Sequence, residues 1–384
     1  MKNSNQMTPS TESLVQTLFQ SIHKHDDSKI SKAEMMTRLL CASALESNHQ
    51  EMTITKIREN TDSFFLNENG PPKEHVTRQD LLQFFRQMHS KNGEEATVSQ
   101  IKKYIQGAEY HLYFGYGSNM SLEGMVTKKL QPVRFIRAKL HHWKLIFDMH
   151  VLNSRCDPSF ANVVPQPQGQ VHGVAIVLST NDLQAMDRIE ISYKRLNLPI
   201  ELYEADGGGS CIAQVYVFTQ EIAEERNIAY FVQQKEINPS QRYLNMMLNG
   251  ARQKQLNEAY IKSLSNHPVT KLPSLDNGLT KEILDVIHSR QFTLSEIAAT
   301  KGQNPALYVL KGVVFKAFGP YASILGGRDT TLFEAQRVKM IRCIDDISRE
   351  QKEWVNARLA EGIAKQGSAD HQIVGMTNFN EYDW

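Results

Sequence analysis

The sequence predicts a multidomain α+β protein: a helical domain over residues 1–106, a strand-rich domain over 107–270 and a small α+β domain over 285–384. Three observations predict this. A chain of 384 residues exceeds one ordinary domain and fits two or three. Apolar spacing is helical in the N-terminal part and turns to two-residue alternation in the centre. Polar or Pro/Gly-containing linkers fall at 91–97 and 271–278. Apolar content is 41% and charge 22%, an ordinary globular composition, and the net charge of +1 implies no polyanion partner. No Lys/Arg block with interleaved aromatics marks a nucleic-acid surface. Cys41, Cys156, Cys211 and Cys343 are scattered without a CxxC, so reduced thiols are expected. The start of the chain lacks the apolar core of a signal peptide, and no run reaches the roughly 18 apolar residues of a membrane span. The expectation is a cytoplasmic protein with no integral membrane segment.

Taking the elements in order, residues 10–13 offer caps for a helix with Leu14, Leu18, Phe19 and Ile22 on one face. A polar run, HKHDDSKISKAE, separates it from a second helical pattern over 35–45. This helix, loop and helix, with Ile30 at the eighth loop position and Glu34 at the last, resembles an EF-hand. The resemblance implies calcium ligation by Asp27 and Glu34, although His23 and His25 stand at the first and third positions and Ser28 where Gly is usual. A second loop, NENGPPKEHVTRQD, lies between Phe64-Phe65 and the helical pattern over 81–85, and carries Gly70, Val76 and Asp80. Two such loops imply one paired EF-hand-like domain, a surface for a protein partner. The alternative is a four-helix segment that holds no ion.

In the centre, Tyr110, Leu112 and Phe114 alternate with polar neighbours as in a short strand. The pattern then breaks into Gly115-Tyr116-Gly117-Ser118-Asn119, where two glycines let the backbone turn sharply and come close to a ligand. Ser118 or Asn119 is a candidate N-cap for a helix over 121–130. Strand, turn and helix start together gather backbone N–H groups suited to a carboxylate or a developing oxyanion. A Gly-x-Gly turn before a helix is common, so this motif alone is weak. Strands are expected at 133–136, 143–147 and 171–178, with Asn181-Asp182 opening a helix over 183–190. Strands over 200–204 and 210–218 flank the hairpin turn Asp206-Gly207-Gly208-Gly209. A helix follows with Leu244, Met247, Leu248 and Ala251 on one face, then a short one over 257–264.

Several strings in this region resemble the γ-glutamylcyclotransferase-like (AIG2-like) family. YFGYGSNM is similar to the family's signature loop, FANVVP followed by VHGVAIVL to its next strands, and PSQRYLNMMLNGARQKQLNEAYIKSL to its C-terminal helices. DRIE followed by Tyr193 and Arg195 matches its acidic motif, with Ile191 where the family has Gly. The resemblance implies a small mixed β-barrel with flanking helices. It implies an enzyme that releases 5-oxoproline from a γ-glutamyl amine, amino acid or peptide, glutathione among them, and that needs no cofactor. Glu190 is then the general acid/base, Tyr116, Gly117, Ser118 and Asn119 bind the substrate, and Tyr193 and Tyr243 line its site. Arg195 and Arg242 are candidates to pair with a substrate carboxylate. A Glu that ends a helix is ordinarily just solvated. The alternative function is a non-catalytic protein that binds a γ-glutamyl or acyl-amine ligand.

Residues 291–331 contain FTLSEIA, LYVLKGVVF and GPYASILGGRDTT, followed by Trp354 and HQIVGM. These resemble the cytochrome b5-like haem/steroid-binding family of the membrane-associated progesterone receptor type. The resemblance implies haem with Tyr321 as axial ligand. The family's second Tyr is absent at Ala317-Phe318, its Lys-Tyr is replaced by Asp370-His371, and the His-Pro-Gly-Gly string of ordinary cytochrome b5 is missing. A packing or partner-binding module, or a haem- or calcium-responsive scaffold, is the alternative.

Overall fold

The computed structural model describes residues 7–22, 29–43, 53–66, 71–151, 157–225, 231–233, 236–270, 280–310, 313–319, 322, 326–330, 349–365 and 371–377. The chain forms two compact units: Met1–His150, Phe160–Glu236 and Tyr243–His267 make one, and Val151–Ser159, Ile237–Arg242 and Pro268–Trp384 make the other. No helix of the described residues is long and apolar enough to cross a membrane.

The first unit opens with α1 (Pro9–Ile22), β1 (Lys29–Ser31), α2 (Lys32–Ser43), α3 (Ile54–Phe64), β2 (His75–Thr77), α4 (Arg78–Asn92) and α5 (Glu94–Gln106). Each of α1 to α5 buries one apolar stripe, among them Val15, Leu18, Met35, Leu39, Ile57, Leu81, Phe85 and Ile101. On α1 the buried stripe uses Val15, and Leu14 is only half-buried. β1 and β2 pair antiparallel with Ile30 opposite Val76, both fully buried. Just after each short strand an acid closes the next helix start. Glu34 Oε2 accepts from the Ser31 N–H at 2.8 Å and its hydroxyl at 2.7 Å. Asp80 forms a capping box with Thr77 and an ion pair with the Lys73 ammonium. Burial raises the Asp80 carboxyl, but the hydrogen bonds from Lys73 and Thr77 outweigh it and hold it below its ordinary value. Asp27 lies outside the described residues. Among those described, no group of three or more His, Cys, Asp or Glu is placed to hold a metal ion.

The second part of this unit is a barrel. Its strands are β3 (Tyr110–Gly115), β4 (Arg134–Val151), β5 (Ser159–Ser179), β6 (Tyr193–Leu202), β7 (Ser210–Phe218) and β8 (Phe231–Gln233). They run in the order β5-β3-β7-β6-β4-β8, and a further β5–β4 pairing closes the ring. The β3–β7 pair is parallel, whereas β3–β5, β4–β6 and β6–β7 are antiparallel, so the barrel is mixed. The two strands expected at 133–136 and 143–147 are one. Within β4, Ile136, Ala138 and Leu140 face inward at even positions, and Phe147 and Met149 at odd ones. His142, with φ 65°, lies where this phase slips, and it hid the continuity from a period-two reading. The expected turn between β6 and β7 is present, and Gly207, Gly208 and Gly209 all take positive φ, of 114°, 65° and 108°.

The helical part grips this hairpin. A Cβ on Gly207 would stand 2.5 Å from the Thr55 nitrogen, so only Gly lets the turn lie against the start of α3. Arg58 pairs with Glu204 at 3.2 Å. Thr37 Oγ1 accepts the Ile212 N–H at 2.8 Å and shares its proton between the carbonyls of Ile212 and Ala33, at 3.1 and 2.9 Å.

On another part of the barrel, buried His172 donates from Nε2 to the Gln170 side-chain oxygen at 2.9 Å and accepts the Tyr203 hydroxyl at Nδ1. Burial lowers this imidazole, helped by Lys139 and His141, to about 4. Its folded value therefore lies below the unfolded one of about 6.5. The unfolded chain takes up the proton first, so this stabilisation is complete above about pH 6.5 and is lost as pH falls toward about 4. Thermal melts of wild type should fall between pH 7 and 5, and His172→Gln should flatten that slope. An unchanged slope in the variant would refute the assignment.

The second unit contains α11 (Lys281–His288), β9 (Gln291–Phe292), α12 (Leu294–Ala298), β10 (Ala306–Leu310), β11 (Val313–Ala317), β12 (Arg328–Asp329), α13 (Arg349–Ala364) and β13 (His371–Thr377). Its sheet runs β12-β10-β11-β13-β9 over a core of Tyr308, Phe315, Val355, Leu359, Ile363 and Ile373. Thr293 and Glu296 form the capping box of α12. Two loops from the middle of the chain join this unit. Asp157 pairs with Arg242 at 2.5 Å and accepts from Ser240 at 2.5 Å, and the Arg242 guanidinium lies 5.0 Å from the centre of the Trp354 ring. Tyr321 lies outside the described residues.

Candidate functional site

The site is built where β3 ends. Tyr110–Gly115 pairs with β5 out to Gly115–Val174, after which the chain leaves the sheet at Tyr116. Tyr116 is buried, and its hydroxyl donates to the Tyr216 carbonyl of β7 at 2.6 Å, which fixes the exit angle. Gly117 and a 3₁₀ turn (Ser118–Met120) follow. A Cβ at Gly117 would lie 3.1 Å from the Tyr243 hydroxyl. The glycine leaves room for a tyrosine from α9 (Gln241–Gln253) to come close rather than serving a left-handed backbone, since its φ is −110°. The cap expected at Ser118 or Asn119 is Ser121, whose hydroxyl accepts the Gly124 N–H at 3.0 Å and opens α6 (Leu122–Thr127). The extra 3₁₀ turn moves the helix start downstream. It leaves the N–H groups of Gly117, Ser118 and Asn119 without an acceptor among the described residues. Gly250 of α9 packs on this turn so closely that a Cβ would come within 2.9 Å of Met120 Cβ.

Glu190 reaches the same place from α7 (Thr180–Ile189), a helix capped by Ser179, two residues before the expected Asn181, with the Ser179 hydroxyl accepting the Asp182 N–H and donating to the Asp182 carboxylate. Glu190 is the C-cap of α7, and the Tyr193 N–H closes the following turn onto its carbonyl at 3.0 Å. Ile191, where the resembled family has Gly, is not among the non-glycine residues of positive φ, so this turn needs no Gly. The Glu190 side chain is 18% exposed. Its Oε1 accepts from Asn119 Nδ2 at 3.1 Å and from Lys128 Nζ at 3.0 Å. The same Asn119 amide donates to the Tyr113 hydroxyl at 3.0 Å, and Lys128 donates to Asn119 Oδ1 at 2.5 Å.

Tyrosines enclose this cluster. Tyr193 donates to the Ala161 carbonyl at 2.8 Å, and the Ala161 N–H donates to the Tyr243 hydroxyl at 3.3 Å, so one residue of β5 holds both rings. Tyr113 and Tyr216 meet edge to face at 5.6 Å. Burial raises the phenols of Tyr113, Tyr116 and Tyr193 far above their ordinary range, with negative charge at Glu190 adding to it, and all three stay neutral.

Glu190, Tyr116, Gly117, Ser118, Asn119, Tyr193 and Tyr243 therefore converge, as the sequence motifs suggested. The two arginines do not join them as free cations. Arg195 pairs with Asp187 at 2.8 Å and with Gln214, and Arg242 with Asp157. Glu34 is engaged in its helix cap, and neither Asp27 nor Tyr321 is described. Sequence reading missed Tyr113, Tyr216 and Lys128. Tyr113 stands among the polar neighbours in the alternating pattern over 110–114, Tyr216 lies inside the strand expected over 210–218, and Lys128 is in a KKL run that reads as solvent-facing.

The family model that matches this chain is that of the AIG2-like family, over residues 170–264, a span that includes Glu190, Tyr193 and Tyr243. The central region matches the AIG2-like family. A curated relative, γ-glutamylcyclotransferase of Bos taurus, is 27% identical over 164 residues, covering 42% of this chain and 80% of the relative. A solved uncharacterized protein from Homo sapiens aligns with a TM-score of 0.36 at 22% identity, over 46% of this chain and 98% of its own. A solved γ-glutamyl cyclotransferase aligns with a TM-score of 0.36 at 21% identity, over the same shares. The AIG2-like match stops short of the Tyr116–Asn119 turn, which joins the site through the Asn119–Glu190 hydrogen bond.

Proposed function

We propose that the AIG2-like region is a γ-glutamyl cyclotransferase. The observation that carries this reading is Glu190, mostly shielded and held by Asn119 of the glycine turn at 3.1 Å. A tethered α-amine attacks the γ-carbonyl carbon of its own glutamyl unit. The new C–N bond closes the 5-oxoproline ring, and the bond from that carbon to the leaving nitrogen breaks. The α-ammonium first loses one proton to water. Glu190 then takes the proton shed by the attacking nitrogen and hands it to the leaving nitrogen, so one carboxylate serves as base and then acid. The N–H groups of Gly117 to Asn119 are suited to the substrate carboxylate or the oxyanion of the tetrahedral intermediate. The neutral tyrosines around them exclude water and strengthen those contacts.

Ile189 and Ile191, on either side of Glu190 in the chain, are 43% and 38% exposed. Apolar residues beside the acid favour a leaving group with hydrocarbon to bury. Purified protein should release 5-oxoproline from members of a panel of γ-glutamyl amines, amino acids and peptides, fastest where the leaving group is apolar. A panel with no release at all would overturn the enzyme reading, and saturable binding without turnover would replace it with the binding-protein alternative. Haem at Tyr321 and calcium at Asp27 and Glu34 are separate proposals that enter no step of this reaction.

A further inference from the structure

We infer that Lys128 is a positioning residue for Glu190, holding one carboxylate oxygen so that the other carries the proton. This rests on the cyclotransferase reading of the site. Glu190 Oε1 takes two donors, Asn119 Nδ2 at 3.1 Å and Lys128 Nζ at 3.0 Å, while Oε2 has no hydrogen-bond partner among the described residues. Two donors on one oxygen use both of its in-plane lone-pair directions and fix the carboxylate plane. Oε2 is then the oxygen with lone pairs to offer an incoming amine. Lys128 Nζ also donates to Asn119 Oδ1 at 2.5 Å, so the three side chains close a loop in which none rotates alone.

The backbone beneath Lys128 is built for this task. Lys128 is the C-cap of α6. The Lys129 N–H returns to the Val126 carbonyl at 2.8 Å, and the Leu130 N–H to the Met125 carbonyl at 3.1 Å. This is a Schellman closure, which normally places Gly at its left-handed position. Here Lys129 takes that conformation with φ 60°, at a cost of about 1 kcal/mol relative to Gly. Buried Met125 and Leu130 pin the turn, which leaves the Lys128 side chain as its one arm toward Glu190. A lysine free in solvent would spread its stem over many rotamers, whereas this one has a quarter of its side-chain surface exposed and two acceptors at its tip.

The test separates positioning from substrate binding and from mere packing. Lys128→Met should lower kcat by about 10- to 100-fold with KM changed less than about threefold, the signature of a lost transition-state arrangement. Lys128→Arg, which keeps the charge and reach, should recover most of the rate. A stability cycle provides a readout independent of turnover. Melting-temperature losses of Lys128→Met and Glu190→Ala should fail to add in the double variant, because each single change removes the same pair. A raised KM with unchanged kcat makes Lys128 a substrate-binding cation and overturns the inference. Additive melting losses in a protein that still turns over overturn it as well, leaving the cyclotransferase reading intact. Wild type that releases no 5-oxoproline sinks the cyclotransferase reading and this catalytic role with it, whatever the melts show.

Discussion

Glu190→Gln is expected to lower 5-oxoproline release by about 100- to 10,000-fold while the protein melts near its wild-type temperature. The substitution keeps shape and volume, so the tyrosine enclosure and the Asn119 contact have no reason to move. What it removes is the basic oxygen that accepts a proton and returns it. The side-chain carbonyl of Gln still accepts from Asn119 and Lys128, which limits the stability loss to the charge component of a partly exposed pair, about 1 kcal/mol or less. Turnover and melting are measured on the same preparation. Activity within about fivefold of wild type, on a folded variant, would remove Glu190 from the proton-transfer role and with it the reason for placing the chemistry here.

Asn162→Ala is expected to give the largest stability loss of the substitutions considered. Asn162 is fully buried, and its amide is used at every atom. Nδ2 donates to Asp148 Oδ1 and to the Phe218 carbonyl, each at 2.9 Å. Oδ1 accepts from the N–H groups of Val163 at 2.8 Å and Phe218 at 2.9 Å. The side chain thus acts as a short strand segment, tying β5 to Phe218, the last residue of β7 in register with β6. Alanine strips partners from both backbone groups of Phe218 and from the Asp148 carboxylate in a site closed to solvent. At about 1–3 kcal/mol for each such group, a total loss of about 3 kcal/mol or more follows. For a unit of this size that corresponds to roughly 6–12 °C in melting temperature. Asn162→Asp should be no better, because it sets a second carboxylate against Asp148. A shift under about 2 °C in Asn162→Ala would refute this account.

The parts of the site were legible only together, through strings that resemble one family. Two glycines one residue apart before a helix are common, and an acid at the end of a helix is ordinarily just solvated. The structure shows why they belong together, with Asn119 as the bond between them. Lys128 was not legible, since nothing in a lysine pair after a helix tells which one turns inward. That depends on the left-handed conformation of Lys129, which a non-glycine residue does not announce. Asn162 sat in view inside a recognisable string, but its role depends on Phe218, which lies next to it only in three dimensions. The length of β4 was hidden by a one-residue slip at His142, and the start of α6 by a 3₁₀ turn that resembles helix in composition. The strand over 210–218 and the triple-glycine turn were read correctly because their backbone demands are local, whereas β3 buries its last four residues without alternating and β5 and β6 begin earlier than expected.

The grip of Thr37 on Ile212 has a consequence for where this protein can be cut. The hydroxyl of one helix meets the N–H and carbonyl of Ile212 in β7, and the three-glycine turn is shaped to the start of another helix. Severing the chain at the boundary suggested by composition, near residue 106, would take the Thr37 hydroxyl from the N–H and carbonyl of Ile212 and uncover the turn. A truncated barrel would then offer those unmet backbone groups to other copies of itself, so the smallest stable fragment that keeps the barrel includes the helices that precede it.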